Sequence, residues 1–180
     1  IHGDEGRISA QQVVEHIKPT YDWMTRTTLV SIENTGNKAG GSYYSLSQMQ
    51  ELSEVCKKHQ LNYHLDGARI FNAIVENNYT PADLGKLFDS ISICLSKGLG
   101  APVGSLLLGD KEFIRKARRV RKVFGGGMRQ AGYLAAAGIY ALDNHVQRLK
   151  EDHQRAKQLE KIVSKLDYVD NVVPVYTNIV

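Results

Sequence analysis

SISICLSKGLGAPVGSLLLG, residues 90–109, sets two apolar runs on either side of a single lysine. The first run (Ile91, Ile93, Cys94, Leu95) is rich in β-branched residues, the pattern of a buried strand. Val103 to Leu108 is the second. Between them stand Lys97 and the small or turn-forming residues Gly98, Gly100, Ala101, Pro102 and Gly104. Lysine is almost never fully buried without a partner. Partial burial lowers an amine's pKa and makes it a better nucleophile toward carbonyls. The glycines let the backbone take positive φ and let a bound group approach closely. A solvated turn lysine is the plain alternative. The Ser96-Lys97-Gly98 setting favours a lysine that forms a Schiff base.

Working outward, strands alternate with helices. Upstream, Thr27 to Ile32 reads as a strand and ENTGNKAGG, residues 33–41, as a turn-rich loop. Ser45 with Gln48 caps a helix whose apolar face is Leu46, Met49, Leu52, Val55 and Cys56. Leu61 to Leu65 is a strand ending at Asp66, followed by a helix over Gly67 to Asn77 and a short one from Pro81. At the start, Ser9 with Gln12 caps a helix over 9–18. Downstream, Asp110 caps a basic helix running to about Lys122, with Phe113, Ala117, Val120 and Phe124 as its apolar stripe. After Gly125-Gly126-Gly127 the pattern predicts an Ala-rich helix from Met128 to Leu142. A longer one runs from Asn144 to Leu166, and a last strand from Val172 to Tyr176. This order implies an α/β fold with a mostly parallel sheet.

The totals are those of an ordinary globular chain: 180 residues, 42% hydrophobic, 23% charged, net charge +4. That is room for one substantial core, a domain and part of another. The mild positive charge permits acidic or phosphate-bearing ligands without demanding nucleic acid. Cys56 and Cys94 fall in apolar patterns and read as reduced core thiols, which favours the cytoplasm. No apolar run approaches the ~20 residues of a membrane span, and no signal peptide is visible. The chain opens on IHGDEG without methionine and closes on VVPVYTNIV, so the reading expects a fold incomplete at both ends.

A second constellation, His64-Leu65-Asp66-Gly67-Ala68-Arg69, stands where a strand gives way to a helix. Ligands of open α/β sheets bind at the carboxyl ends of strands. Asp66 can hold a cationic ring nitrogen there, and Arg69 a carboxylate or phosphate through its planar fork. An N-cap aspartate beside a surface arginine would look the same, and His-x-Asp also resembles part of a metal triad. Gly98 to Gly104 is not a dinucleotide fingerprint, because its third glycine is late and a strand follows. It is not a P-loop either. The three glycines at 125–127, flanked by Lys122 and Arg129, could be an anion nest or a flexible joint. The basic run over 111–122 reads first as a solvated helix face and second as a nucleic-acid surface.

Taken in order, SIENTGNKAGG, HLDGARIFNA, SICLSKGLGAPVGSLLLG, RKVFGGGMRQAG, LAAAGIYAL and the EDH at 151–153 resemble the threonine aldolases of the β-eliminating lyase group. The resemblance runs from about Gly6 to Asn178. It implies the three-layer αβα fold of pyridoxal-phosphate (PLP) transferases. Residues 1–143 would belong to the cofactor-binding large domain, 144–166 to a connecting helix, and 167–180 to the start of a small domain. It implies PLP carried on Lys97, with Ser96 beside it. Asp66 would pair with the pyridine nitrogen, Ala68 lie against the ring, and Arg69 bind the substrate carboxylate. Lys122 and Arg129 would lie near the cofactor phosphate or the rim. The implied reaction is retro-aldol cleavage of L-threonine or L-allo-threonine to glycine and an aldehyde, in a cytoplasmic homotetramer. Residue spacing alone does not separate that from transamination or β-elimination, nor an active piece from an inactive one. No metal, nucleic acid or membrane is expected. Many relatives carry His where this chain has Gly36. The family's phosphate loop, ring-stacking His and second substrate arginine have no counterpart here, so the site is expected to need further segments.

Overall fold

The computed structural model describes residues 1–180 as a four-stranded mixed sheet with seven helices. Three strands, β1 (Leu29–Glu33), β2 (Asn62–Gly67) and β3 (Ser90–Cys94), run parallel in that spatial order. Parallel neighbours need crossovers. Helix α2 (Leu46–Lys58) joins β1 to β2, and α3 (Ile70–Glu76) with α4 (Pro81–Leu87) joins β2 to β3. Strand β4 (Ser105–Gly109) returns antiparallel on β3, with Cys94 opposite Ser105 and Ser90 opposite Gly109.

Strand alternation gives the sheet two unlike faces. Val30, Ile32, Tyr63, Leu65 and Ile91 join Met49, Leu52 and Cys56 of α2, Ile70 and Ala73 of α3, and Leu84 of α4 in one buried core. Ser31, Glu33, His64, Asp66, Ser92 and Cys94 alternate with them. The register places Glu33, Asp66 and Ser92 side by side near the carboxyl ends of the strands.

Local signals set the helix starts. Both expected capping boxes form: Ser9 with Gln12 at α1 (Ala10–His16), and Ser45 with Gln48 at α2. A third, Thr80 with Asp83, starts α4 with Pro81 in its first turn. Asp110 caps α5 (Lys111–Val123), where its side chain accepts from Phe113 N at 2.8 Å. No helix is long and apolar enough to cross a membrane.

Four expectations change. The run ending at Leu108 is no buried strand: every residue of β4 is exposed, because α5 and β3 are its only close packing partners. The Ala-rich helix, α6 (Gly132–Asn144), starts four residues late, since Gln130 takes a left-handed φ of 50° that breaks the helix. The helix expected from Asn144 begins only at Leu149 and ends at Val163 (α7). The turn before it is held elsewhere, by His145 Nδ1 at 2.6 Å from Leu99 O. Finally, Val172–Tyr176 joins no sheet. Val175 N donates to Glu160 Oε1 at 3.0 Å, and Thr177 Oγ1 to Gly41 O at 2.9 Å. Its packing against Gly41 is so close that a Cβ there would meet Thr177 Oγ1 at 2.2 Å.

Candidate active site

The turn from β2 into α3 carries the aspartate. Gly67 is required by its neighbour strand, because a Cβ would meet Ser92 O at 2.8 Å. Ala68 N then donates to Asp66 Oδ1 at 3.1 Å. That bond fixes the carboxylate on the same sheet face as His64, whose Nδ1 lies 2.8 Å from Ser90 Oγ. Asp66 Oδ2 makes no hydrogen bond within the chain, and Asp66 is only half-buried. Arg69, at the N-cap of α3, is also half-buried and forms no ion pair.

The lysine loop follows β3 on the adjacent strand. Three backbone bonds define it: Leu95 N to Gly104 O at 2.9 Å, Ala101 N to Leu95 O at 3.1 Å, and Gly100 N to Lys97 O at 2.8 Å. Leu95, Leu99 and Ala101 are buried with Ala141 and Leu149, so the loop has an anchored apolar base. Gly100 takes a φ of +74°, where a side chain would be strained. Lys97 itself is exposed, contrary to the partly buried setting expected for it. Its Nζ donates to Cys94 Sγ at 3.1 Å.

Cys94 is the junction of the site, and the sequence reading treated it only as a core thiol. Burial raises its pKa, but hydrogen bonds from Ser105 Oγ (3.6 Å) and Lys97 Nζ, together with the lysine's charge, outweigh that and lower it overall. Asp66 is near enough to push in the other direction. Lys97 therefore meets the sulfur from the loop after β3, and Asp66 shares its sheet face from the adjacent strand β2. The signal was present in the sequence: Cys94 alternates onto the Asp66 face and stands three residues before Lys97.

The other expected residues are less gathered. Ala68 is half-buried in the aspartate turn, and Ser96 is exposed beside Lys97. Lys122 lies in the last turn of α5, and its side chain lies against Gly127, where a Cβ would meet Lys122 Cδ at 2.8 Å. Lys122 and Arg129 are exposed, and neither bonds to Asp66, Arg69 or Lys97. Gly36 is buried, with Ala39 Cβ and Ser42 Oγ each 3.2 Å from where its Cβ would be. Beside it, Asn34 Oδ1 and Thr35 Oγ1 are buried without partners. A cavity of about 480 Å³ lies elsewhere, on the apolar face between α3, α4 and β3, lined by Ile74, Leu84, Phe88 and Leu108.

The sequence profile described as beta-eliminating lyase matches residues 1–180. The low specificity L-threonine aldolase of Escherichia coli K12 is 48% identical over 152 residues, which cover 84% of this chain and 45% of that protein. Low-specificity L-threonine aldolase 1 of Arabidopsis thaliana is 43% identical over 155 residues, 86% of this chain and 43% of that one. The chain thus spans about half the length of the curated relatives it matches. Among solved structures, a Leishmania major threonine aldolase superposes with a TM-score of 0.75 at 24% identity, over 88% of this chain and 47% of its own. A Listeria monocytogenes protein superposes with a TM-score of 0.79 at 23% identity, over 98% of this chain and 48% of that one. These likenesses establish the fold. The sequence match, unbroken from Ile1 to Val180, establishes more: the chain belongs to the beta-eliminating lyase family.

Proposed function

We propose that this chain carries the catalytic lysine of a PLP-dependent aldolase that cleaves L-threonine and L-allo-threonine to glycine and acetaldehyde. The observation that carries the reading is the placement of Asp66 and Lys97 at the carboxyl ends of neighbouring parallel strands: Asp66 stands opposite Ser92 in the register of β2 and β3, and Lys97 on the loop after β3 bonds back to Cys94. The same residues fit the cofactor. An exposed amine is available to its aldehyde, a carboxylate with an uncommitted oxygen to its ring nitrogen, and an unpaired guanidinium lies one turn away.

In this reading Lys97 Nζ would be the amine that holds the cofactor through its aldehyde carbon. Asp66, as a carboxylate, keeps a proton on the ring nitrogen. Bound PLP supplies a conjugated ring that takes up the electron pair released when the substrate's Cα–Cβ bond breaks. Arg69 fixes the substrate carboxylate and so the direction of the breaking bond, an effect of orientation. Gly36 supplies no side chain toward the substrate hydroxyl, so the proton there passes to another group or to water. Ser96 and Ala68 line the cofactor, and Lys122 and Arg129 serve its phosphate or the rim.

We assign residues 1–143 to the cofactor-binding domain, 144–166 to a connection, and 167–180 to the start of a smaller domain. We place the protein in the cytoplasm, where Cys56 and Cys94 stay reduced, as a homotetramer, as the family resemblance implies. The test uses the full-length protein. Borohydride reduction with PLP, then peptide mapping, is expected to label Lys97, and threonine should yield acetaldehyde and glycine. Label on Lys122 would overturn the assignment. A keto acid in place of the aldehyde would make the reaction a transamination.

A further inference from the structure

The lysine loop packs on the apolar first residue of α7, one turn before a buried polar network. A Cβ on Gly98 would come within 2.8 Å of Leu149 Cδ2, so the backbone next to Lys97 lies directly on the first residue of α7. Asn72 Oδ1 is the next nearest group, 3.9 Å from the same point. One residue further along the loop, His145 Nδ1 donates to Leu99 O at 2.6 Å. Position 98 therefore faces α3 and α7 at once, and a side chain there would displace the Leu149 side chain on which the loop sits.

His153 lies four residues after Leu149, on the same face of α7. It is 1% exposed, and both of its ring nitrogens are engaged. Nδ1 is 2.5 Å from Glu76 Oε1, and Nε2 is 3.0 Å from Asn72 Nδ2. The same Asn72 nitrogen is 3.0 Å from Asn178 Oδ1. An amide nitrogen has two hydrogens, so one goes to Nε2 and one to Asn178. Nε2 then accepts, and the Nδ1 hydrogen is donated to Glu76. Lys157 Nζ closes the network, 3.6 Å from Glu76 Oε2. Buried polar groups are costly unless bonded, and a fully satisfied network holds one arrangement in preference to others.

We propose that His153 and Asn72 are positioning residues for Lys97. They fix the loop over 97–100 against α3 and α7, and Asn178 ties the C-terminal stretch into the same network. The importance of that loop rests on the reading of Lys97 as the cofactor lysine. The test does not, because it uses the full-length apoprotein without cofactor or substrate. Two quantities are read: hydrogen exchange at the Gly100 amide, which bonds Lys97 O, and the rate of reductive methylation of Lys97 by formaldehyde and cyanoborohydride. His153→Leu is expected to speed Gly100 exchange about tenfold and to change the methylation rate of Lys97. Exchange at Leu65 in β2 should stay as in the wild type. His153→Gln, whose amide can donate to Glu76 and accept from Asn72, should keep most of the wild-type protection at Gly100. Asn178→Ala, at a half-buried position, should act in the same direction more weakly, and it decides the matter if His153→Leu does not fold. Unchanged Gly100 exchange in the folded variants would overturn the proposal, and so would an equal rise at Leu65, which would mean that the network only holds the fold. Failure to label Lys97 with PLP would sink the proposed function and leave this exchange result standing.

Discussion

Cys94 and Cys56 carry the same thiol in opposite surroundings. Burial, with Asp89 nearby, pushes Cys56 up to about 11, while Ser105 and Lys97 overcome burial at Cys94 and lower it. Alkylation needs the thiolate. A lowered pKa makes the thiolate available at lower pH, so iodoacetamide near pH 8 should modify Cys94 and spare Cys56 until the protein unfolds. Lys97→Met removes a donor and a positive charge. The Cys94 rate-against-pH curve should then move to higher pH, and an unmoved curve would show that the 3.1 Å contact does not govern the thiol. Asp66→Asn tests the neighbouring strand. The amide oxygen can still accept from Ala68 N, so the turn should survive while the charge is lost. In the full-length enzyme PLP should still attach to Lys97, with turnover down by about 3 kcal/mol, two orders of magnitude; near wild-type turnover would refute the role. Lys97, Asp66 and Arg69 were legible because each sits in a short block beside a strand end. Cys94 was legible in its alternation onto the Asp66 face, but its bond to Lys97 was not, because the fold of the loop that brings Nζ back to the strand is set by distant packing.

At the scale of elements, the capped helix starts were the most legible feature, since a cap is a local hydrogen bond between residues three apart. Ser9, Ser45 and Asp110 all cap as their spacing suggests. The starts of α6 and α7, which no side chain caps, and the last strand were not legible. What decides them is distant: the His145 bond to Leu99 O stops a helix from running through 145–148, and Glu160 and Gly41 hold residues 175–177 off any sheet. The capping box at α4 offers a direct check. Thr80 Oγ1 donates to Asp83 Oδ2 at 2.7 Å, and Asp83 N returns a bond to Thr80 Oγ1 at 3.3 Å. Thr80→Ala should cost about 1 kcal/mol of stability, read from the urea midpoint. The bonds from Thr80's backbone and side chain also lower the pKa of Asp83. A depressed carboxylate stabilises the fold above its unfolded value and loses that contribution as pH falls through the folded one. The wild type should therefore lose more stability than Thr80→Ala between pH 7 and pH 3. Equal losses would show that the box is not formed in solution.

For the whole molecule, the fold class followed from the alternation of strands and helices; the antiparallel return of β4 on β3 is seen only in the structure. The uncovered surfaces could not be read that way, because an apolar run looks alike in a covered strand and an open one. Leu106, Leu107 and Leu108 are 40%, 43% and 43% exposed on β4, which lies at one edge of the sheet. Parallel sheets are ordinarily covered on both faces, yet Ser31 and Glu33 are open to solvent on the polar side. An exposed apolar edge is a template for pairing with another chain. The relatives have about as much chain again as these residues match, ample to cover both surfaces. Residues 1–180 expressed alone should therefore keep their helices and strands but self-associate. PLP should bind them weakly, since Lys97 and the uncommitted oxygen of Asp66 would leave a bound ring open to water on one side. Size-exclusion chromatography with light scattering measures the first effect, and acetaldehyde release from L-threonine with excess PLP the second. A monodisperse monomer with robust turnover would refute the prediction. Turnover that appears only in the full-length protein would support it, and would place the missing part of the site outside these residues.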